Sequence, residues 1–295
     1  MHVFVTGATG LIGSALVPEL LGAGHSVVGL ARSDASADRL TRAGADVLRG
    51  ELNDLEILRR GATGADGVVH LAFVHDFGDF AASVRADAAA ITAMGEALEG
   101  SGKPLVTTSG LLGLPSDRVA TERDSASPAR LSESSTLPFA GRGVRAVSVR
   151  LAPSVHGPTD RHGFVPALVD IARQQGSAAF VGDGSNHWPG VHVLDAATLF
   201  RLALEAAPAG SLLHGAGDEG VPTREIAERI GRGLDLEVTS VAPEAAADHF
   251  GWMAPFFSMD VRASHAVTSE LLGWEPTQAG LLEDLDAGFY FEPRG

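Results

Sequence analysis

The 295-residue chain contains no cysteine, which excludes disulfides, a thiolate metal site and a cysteine nucleophile. It has one tyrosine, Tyr290, and one lysine, Lys103. Positive charge is scarce: 22 Lys and Arg against 37 Asp and Glu leave a formal net charge of −15. That balance argues against nucleic acid or an anionic membrane surface as a partner, while leaving room for a local basic pocket. No apolar run approaches the ~20 residues needed to span a bilayer. The N-terminus enters a strand without the charged region and cleavage site of a secretory signal. The 11 histidines show neither i, i+4 spacing nor neighbouring cysteines, so no metal is expected. The expectation is a soluble, cytoplasmic protein acting on a small molecule, without nucleic acid, membrane or metal. Its length allows one large α/β domain plus a smaller lobe.

What the sequence does have stands at its start. Val3-Phe4-Val5 is a β-branched and aromatic run that reads as a buried strand. The chain turns through Thr6-Gly7-Ala8-Thr9-Gly10 and enters a segment in which Leu11, Ala15, Leu16 and Leu20 recur at helical spacing. Glycines fall at 7, 10 and 13. In a strand–turn–helix that holds a pyrophosphate, Gly7 permits the tight turn, Gly10 lets backbone approach phosphate, and Gly13 lets the helix pack close to the sheet. The helix N-terminus, with Leu11, Ile12 and Gly13 in its first turn, then faces the anion. The alternative is a glycine-rich turn with no ligand, but the flanking strand and helix are the context that a dinucleotide site requires.

Further strands follow at His25–Leu30, Ala45–Leu48, Gly67–Phe73, Lys103–Gly110 and Val144–Leu151, with helices between them. This alternation predicts a doubly wound, Rossmann-type parallel sheet of class α/β over residues 1–155, rejoined by about 190–215. Residues 156–189 and 216–295 form the smaller substrate lobe. Asp54 is read as the N-cap of the helix LEILRRGA and Thr223 as the cap of REIAERIGRGL, with Glu225 in the first turn. The second strand ends in Ala31-Arg32-Ser33 with no carboxylate for a ribose diol. Arg32 with Ser33 suits a 2′-phosphate, which favours NADP, although Asp34 one step on keeps NAD open. The loop Phe73-Val74-His75-Asp76-Phe77 leaves the carboxyl end of the fourth strand, where ligands of open α/β sheets bind.

TGATGLIG, with spacing G-x-x-G-x-x-G, resembles the extended and atypical branches of the short-chain dehydrogenase/reductase family. The likeness continues at His70-Leu71-Ala72, at 105–110, at 150–158 and in the late segments 180–184 and 190–197, so it covers almost the whole chain. It implies that Glu51 and Leu52 line the adenine, with Glu51 in place of the usual Asp. It also implies that Leu71, Ala72 and Phe73 pass beneath the cofactor beside Thr108, and that the Pro153-Ser154-Val155 loop meets the nicotinamide amide. Redox members use Ser, Tyr and Lys, the last two spaced Y-x-x-x-K, with the tyrosine as proton donor and the lysine lowering its pKa. Ser109 matches the serine. The pair is missing: aligned through Glu133, the tyrosine position is Ser125 and the lysine position Ala129. In many relatives the helices near 81–98 and 129–140 pair two copies, and the alanine-rich face Ala86, Ala89, Ala90, Ala93 and Ala97 suits either a monomer or a homodimer.

Three functions are compatible with these residues. The first is an NADP-dependent reductase of a carbonyl or imine, with Ser109 polarising the oxygen and His75 or His156 as the acid. The second is a dinucleotide-binding sensor without turnover. The third, ranked last because it needs the same missing tyrosine, is a nucleotide-sugar epimerase or dehydratase. Phe73, His75, His187 and Trp188 are the candidate substrate contacts. Together with Phe77, Trp252, Phe256 and Phe257 they point to a fairly hydrophobic substrate, although the same aromatics would fill an ordinary core. For each polar candidate a structural role competes: a local backbone bond for Ser109, a surface loop for His75, a turn for His156 and a packed aromatic for Trp188. His162 and His192 are read as structural.

Overall fold

A computed structural model describes residues 1–74, 79–125 and 130–292. The chain runs β1 (His2–Thr6), α1 (Leu11–Gly22), β2 (Ser26–Ala31), α2 (Asp34–Ala43), β3 (Asp46–Arg49), α3 (Leu55–Gly64), β4 (Gly67–His70), α4 (Phe80–Ala97) and β5 (Pro104–Gly110). It continues through α5 (Ser132–Thr136), β6 (Arg145–Leu151), β7 (Ser154–His156), α6 (Phe164–Gln175), β8 (Ser177–Val181), β9 (His187–His192) and α7 (Val193–Ala206). The last part is β10 (Leu212–Gly215), β11 (Asp218–Pro222), α8 (Thr223–Leu234), β12 (Glu237–Val241) and four short helices, α9 (Ala246–Phe250), α10 (Ala254–Phe257), α11 (Ala266–Leu272) and α12 (Leu281–Asp286).

Seven strands form one sheet in the order β10-β6-β5-β4-β1-β2-β3, every pair parallel. The order reverses at β1, so the crevice at the carboxyl ends of β1 and β4 is where such a sheet takes its ligand. Successive side chains alternate between the two faces. Val3 and Val5 of β1 and Val106 of β5 join Leu16 and Leu20 of α1 and Leu199 and Phe200 of α7 in one core. Phe4 and Leu105 join Leu58 of α3 and Met94 of α4 in the core on the other face. Each fully buried side chain of this size contributes about 1.5–3 kcal/mol. This is the Rossmann-type α/β fold expected, with strand boundaries shifted by a few residues from the sequence reading.

A third core lies apart from the sheet and is built from α6, β8, α8 and the short C-terminal helices, with Trp188, Phe250, Met253 and Phe257 at its centre. It is flanked by the small sheets β11-β9-β7 and β12-β8. The lobe is thus made of segments on both sides of α7, which packs on the main sheet, and β10, which is one of its strands. Asp54 caps α3 as expected, its carboxylate accepting from the Ile57 amide at 3.2 Å. Thr223 does not cap α8. It is the first helical residue, and its hydroxyl donates instead to Asn186 Oδ1 at 2.6 Å.

Candidate functional site

The turn between β1 and α1 is shaped by close approach. Gly7 has φ +67°, and a Cβ there would lie 2.7 Å from the Ala72 nitrogen and 2.8 Å from the Leu71 carbonyl carbon. A Cβ on Gly13 would lie 2.2 Å from the Gly7 oxygen. Only glycine permits either contact. The segment leaving β4 therefore packs directly against the turn, and it is pinned there: Leu71 N–H donates to the Thr6 carbonyl at 3.2 Å and Ala72 N–H to Thr6 Oγ1 at 3.3 Å. Gly10 is the N-cap of α1, no side chain caps the helix, and its first turn carries no acidic residue. The leading amides of α1 have no helical acceptor, so together with the positive end of the dipole they form a cradle for an anion. Thr9, Gly10, Leu11, Ile12 and Gly13 all belong to this turn and fit a dinucleotide pyrophosphate.

At the end of β2, Arg32 is exposed and no ion pair engages it among the described residues. Ser33 is occupied as the N-cap of α2, its hydroxyl accepting from the Ser36 amide at 3.2 Å. Asp34 is held in an ion pair by Arg49 of β3, which also donates to the Ser33 carbonyl. Arg49 had no role in the sequence reading, because its partner comes from a neighbouring strand end. Glu51 and Leu52 stand in the turn between β3 and α3, Glu51 exposed and Leu52 packed on the core.

Beneath the turn runs a buried polar chain. Thr6 Oγ1 and His70 Nδ1 lie 2.7 Å apart, and His70 Nε2 lies 3.2 Å from Asp87 Oδ1 on α4. The carboxylate only accepts, so Nε2 carries the proton and Nδ1 accepts from the Thr6 hydroxyl. Ser132 of α5 donates to Asp87 Oδ2 at 2.5 Å, and the Arg130 guanidinium stands 3.8 Å from the same oxygen. Burial would raise the Asp87 carboxyl, but the hydrogen bonds from His70 and Ser132 and the Arg130 charge hold it below the ordinary carboxylate range.

Ser109 lies at the carboxyl end of β5, nearly buried, and accepts from Ser148 Oγ at 3.1 Å. With Ser148 as donor, the Ser109 proton is left to point elsewhere. Thr108 is half-buried and donates to the His70 carbonyl at 3.1 Å. Neither single residue can stand in for the missing pair. Lys103 precedes β5 and donates to the Ala65 carbonyl at 2.6 Å, so it sits at the opposite end of the sheet, about 20 Å of extended strand from Ser109. Tyr290 is buried, accepts from the Gly157 amide at 3.0 Å, and has its phenol pushed well above its ordinary value by burial and by Asp160. Ser125, at the tyrosine position, is exposed. Ala129 and His75 lie outside the described residues.

Three further site candidates, His156, Trp188 and His187, are held by contacts of their own. His156 is fully buried, with Nδ1 2.6 Å from Asp284, Nε2 3.8 Å from Asp218 and an edge-on contact with His192 at 5.6 Å. It ties β7 to α12 within the lobe, and no described hydrogen bond links it to Ser109. Trp188 is the packed aromatic of the two readings: it is fully buried, stacked on Phe164 at 5.2 Å and packed edge-on against Phe257. His187 is anchored to Asp260 through both its amide and Nδ1, at 2.9 and 3.0 Å. Pro153 and Val155 are half-buried in the segment from β6 into β7, and Ser154 is buried. His192 Nδ1 accepts from the Leu194 amide at 3.2 Å at the start of α7.

A second buried network escaped the sequence reading. Arg150 of β6, fully buried, donates to both oxygens of Glu133 at 2.7 and 2.8 Å and to the Asp124 carbonyl at 2.8 Å. His214 on β10 lies 2.8 Å from the Ser264 carbonyl through Nδ1, so Nδ1 carries its proton, and Nε2 faces Arg150 at 3.4 Å. Burial drives its pKa down to about 4.

The family model for the NAD dependent epimerase/dehydratase family matches residues 3–97, which include the glycine turn, β4 and α4. A 2-alkyl-3-oxoalkanoate reductase of Stenotrophomonas maltophilia is 30% identical over 78% of this chain and 74% of its own length.

The chain belongs to the NAD-dependent epimerase/dehydratase family.

An uncharacterized protein of Schizosaccharomyces pombe is 47% identical over 99% of this chain and 100% of its own length. Among solved structures, MoeE5 in complex with UDP-glucose and NAD superposes with a TM-score of 0.77 at 23% identity, covering 99% of this chain and 98% of that one. At that identity the likeness speaks for the fold. Within the family this chain has an NAD(P)-binding oxidoreductase-type fold, and its one tyrosine and one lysine both lie in contacts away from Ser109.

Proposed function

We propose that this protein is an NADP-dependent reductase of a carbonyl or imine in a small, fairly hydrophobic substrate. The observation that supports the reading is a glycine turn opening an uncapped helix together with a nearly buried hydroxyl at the carboxyl end of β5. Gly7, Gly10 and Gly13 clear the backbone for the pyrophosphate, and Ser109 stands at the carboxyl end of β5 with its acceptor side already used by Ser148. The cofactor, when bound, supplies the hydride. Ser109 donates its hydrogen bond to the substrate oxygen, orients the carbonyl and favours the charge that builds on oxygen in the transition state. The preference for NADP rests on the exposed Arg32 and on Asp34, whose carboxylate is turned to Arg49 of the neighbouring strand end. The reductase name of the Stenotrophomonas relative supports a ketone as substrate, and the site's aromatic Phe73 favours an apolar one.

The test is fluorescence titration with NADPH and NADH, followed by a panel of ketones, aldehydes and imines watched by NADPH absorbance. The reading expects consumption of NADPH with at least one class, and a fall in kcat of ~10²–10³ for Ser109→Ala, the usual loss of one such donor. A second reading, a dinucleotide sensor, is favoured by the missing tyrosine and lysine alone. Tight NADPH binding with no turnover across the panel would establish it.

A further inference from the structure

Arg130 is a cation that neither the family pattern nor the reading above assigns. It stands just before α5, one position beyond the residue that aligns with the family lysine. Its guanidinium carbon lies 4.0 Å from the centroid of the Phe73 ring. Phe73 directly follows Ala72, whose nitrogen is the atom that a Cβ on Gly7 would strike. Arg130 thus packs on the residue that follows the segment pinned against the glycine turn. Phe80 stands 6.0 Å from Phe73 and extends the apolar wall.

The arginine is poorly compensated for its depth. Its side chain is a quarter exposed, and its ion pair with Asp87 is long at 3.8 Å. Asp87 itself is already shared between His70 and Ser132. The buried Arg130 Nε has no hydrogen-bond partner among the described residues. One face of the guanidinium is covered by Phe73 and its Nε is buried, while the side chain as a whole keeps a quarter of its surface exposed and carries a planar fork of N–H donors. Such a fork suits two oxygens in a plane or one oxygen carrying negative charge. A buried donor left without a partner is costly, and a ligand oxygen would relieve that cost.

We propose that Arg130 is the anion-binding group of this active site, the donor that receives the substrate oxygen as negative charge builds on it. The role in turnover rests on the reductase reading; the anion site itself does not. In the reaction, the hydride forms the new C–H bond and the carbonyl π pair moves onto oxygen. That oxygen then takes its proton from water, and the guanidinium stays protonated throughout. Charge stabilisation by a fixed cation thus takes over the task that a phenol performs elsewhere in the family, with Ser109 as the second donor.

The experiment uses the NADP-loaded protein and benzoate, a planar anion whose ring fits the Phe73 and Phe80 wall, with benzamide as its neutral counterpart. Calorimetric titration should give benzoate binding at least tenfold tighter than benzamide. Arg130→Gln should weaken benzoate at least 30-fold while NADP affinity stays within threefold. Arg130→Lys keeps the charge next to Asp87 but loses the fork, and should fall between the two. Thermal melts of both variants check the fold, and Arg130→Lys keeps the test decisive should Arg130→Gln fail to fold. Absence of benzoate binding to the wild-type protein, unchanged benzoate affinity in Arg130→Gln, or parallel loss of NADP and benzoate would each overturn the proposal. The expected binding pattern without NADPH consumption on any substrate would uphold the anion site and count against the reductase reading alone.

Discussion

Replacing Gly13 by alanine tests the cradle more sharply than any change to a charged residue. Gly13 lies inside α1, where alanine is intrinsically the better helix former by about 1 kcal/mol. Propensity alone therefore predicts a gain. The structure predicts the reverse, because the new methyl would lie 2.2 Å from the Gly7 oxygen and 2.6 Å from the Ala8 Cα. Both are backbone atoms of a turn pinned by Thr6 and Ala72, so neither can give way cheaply. Overpacking of this kind costs about 1–3 kcal/mol, and the upper end applies where backbone must move. The net effect is a loss of about 2 kcal/mol, or about 4 °C in Tm for a chain of this size. Moving α1 off the turn also displaces its leading amides, so NADPH affinity should fall at least tenfold. Gly22→Ala, at the end of the same helix with nothing within 4 Å of the new methyl, is the control. It should stabilise by a few tenths of a kcal/mol and leave NADPH affinity unchanged. A Gly13→Ala protein that melts higher than wild type and binds NADPH normally would refute the close-approach argument.

Other consequences follow from the buried networks. Glu133→Ala leaves the fully buried Arg150 without its carboxylate and should cost about 3 kcal/mol or more by denaturant titration; a loss under 1 kcal/mol would show that Arg150 finds another partner. His214, with a pKa of about 4 in the folded protein and about 6.5 unfolded, binds its proton only in the unfolded chain between those values. Unfolding free energy should therefore be full above pH 6.5 and fall by roughly 3 kcal/mol as pH drops toward 4. The lowered Asp87 carboxyl adds to the loss at the acid end. His214→Asn, which keeps a donor for the Ser264 carbonyl, should remove about one proton from that acid slope, and an unchanged slope would exclude His214 as its source.

The parts of the fold that were legible in the sequence are those set by local pattern. The β-branched run before the glycines, the alternation of strands and helices, and the Asp54 cap each depend on neighbours a few residues away. The same is true of the cradle, since Gly7, Gly10 and Gly13 act on one turn. Thr223 shows the limit: by local rule it caps α8, but a long-range partner, Asn186, takes its hydroxyl. Trp188 stays open between a substrate contact and a packed aromatic because its stacking partners, Phe164 and Phe257, are distant in sequence. Arg150 and His214 are unremarkable as letters and Glu133 stands out only as an alignment mark; the pairing of β6 with β10 and the return of α5 make them a buried network. Arg130 was passed over for a related reason. The family alignment fixes attention on the position before it, and the meaning of its charge appears only once Phe73 and Asp87 are seen beside it.

The central claim is that a working NADP site survives in this chain without the usual catalytic pair. Parallel titration of the wild-type protein and Arg32→Ala with NADPH and NADH addresses it most directly. The account predicts that the wild type binds NADPH at least tenfold more tightly than NADH, and that Arg32→Ala loses most of that preference while its NADH affinity holds. Failure of either cofactor to bind would contradict the account at its root, and equal affinities unaffected by Arg32→Ala would contradict the NADP assignment.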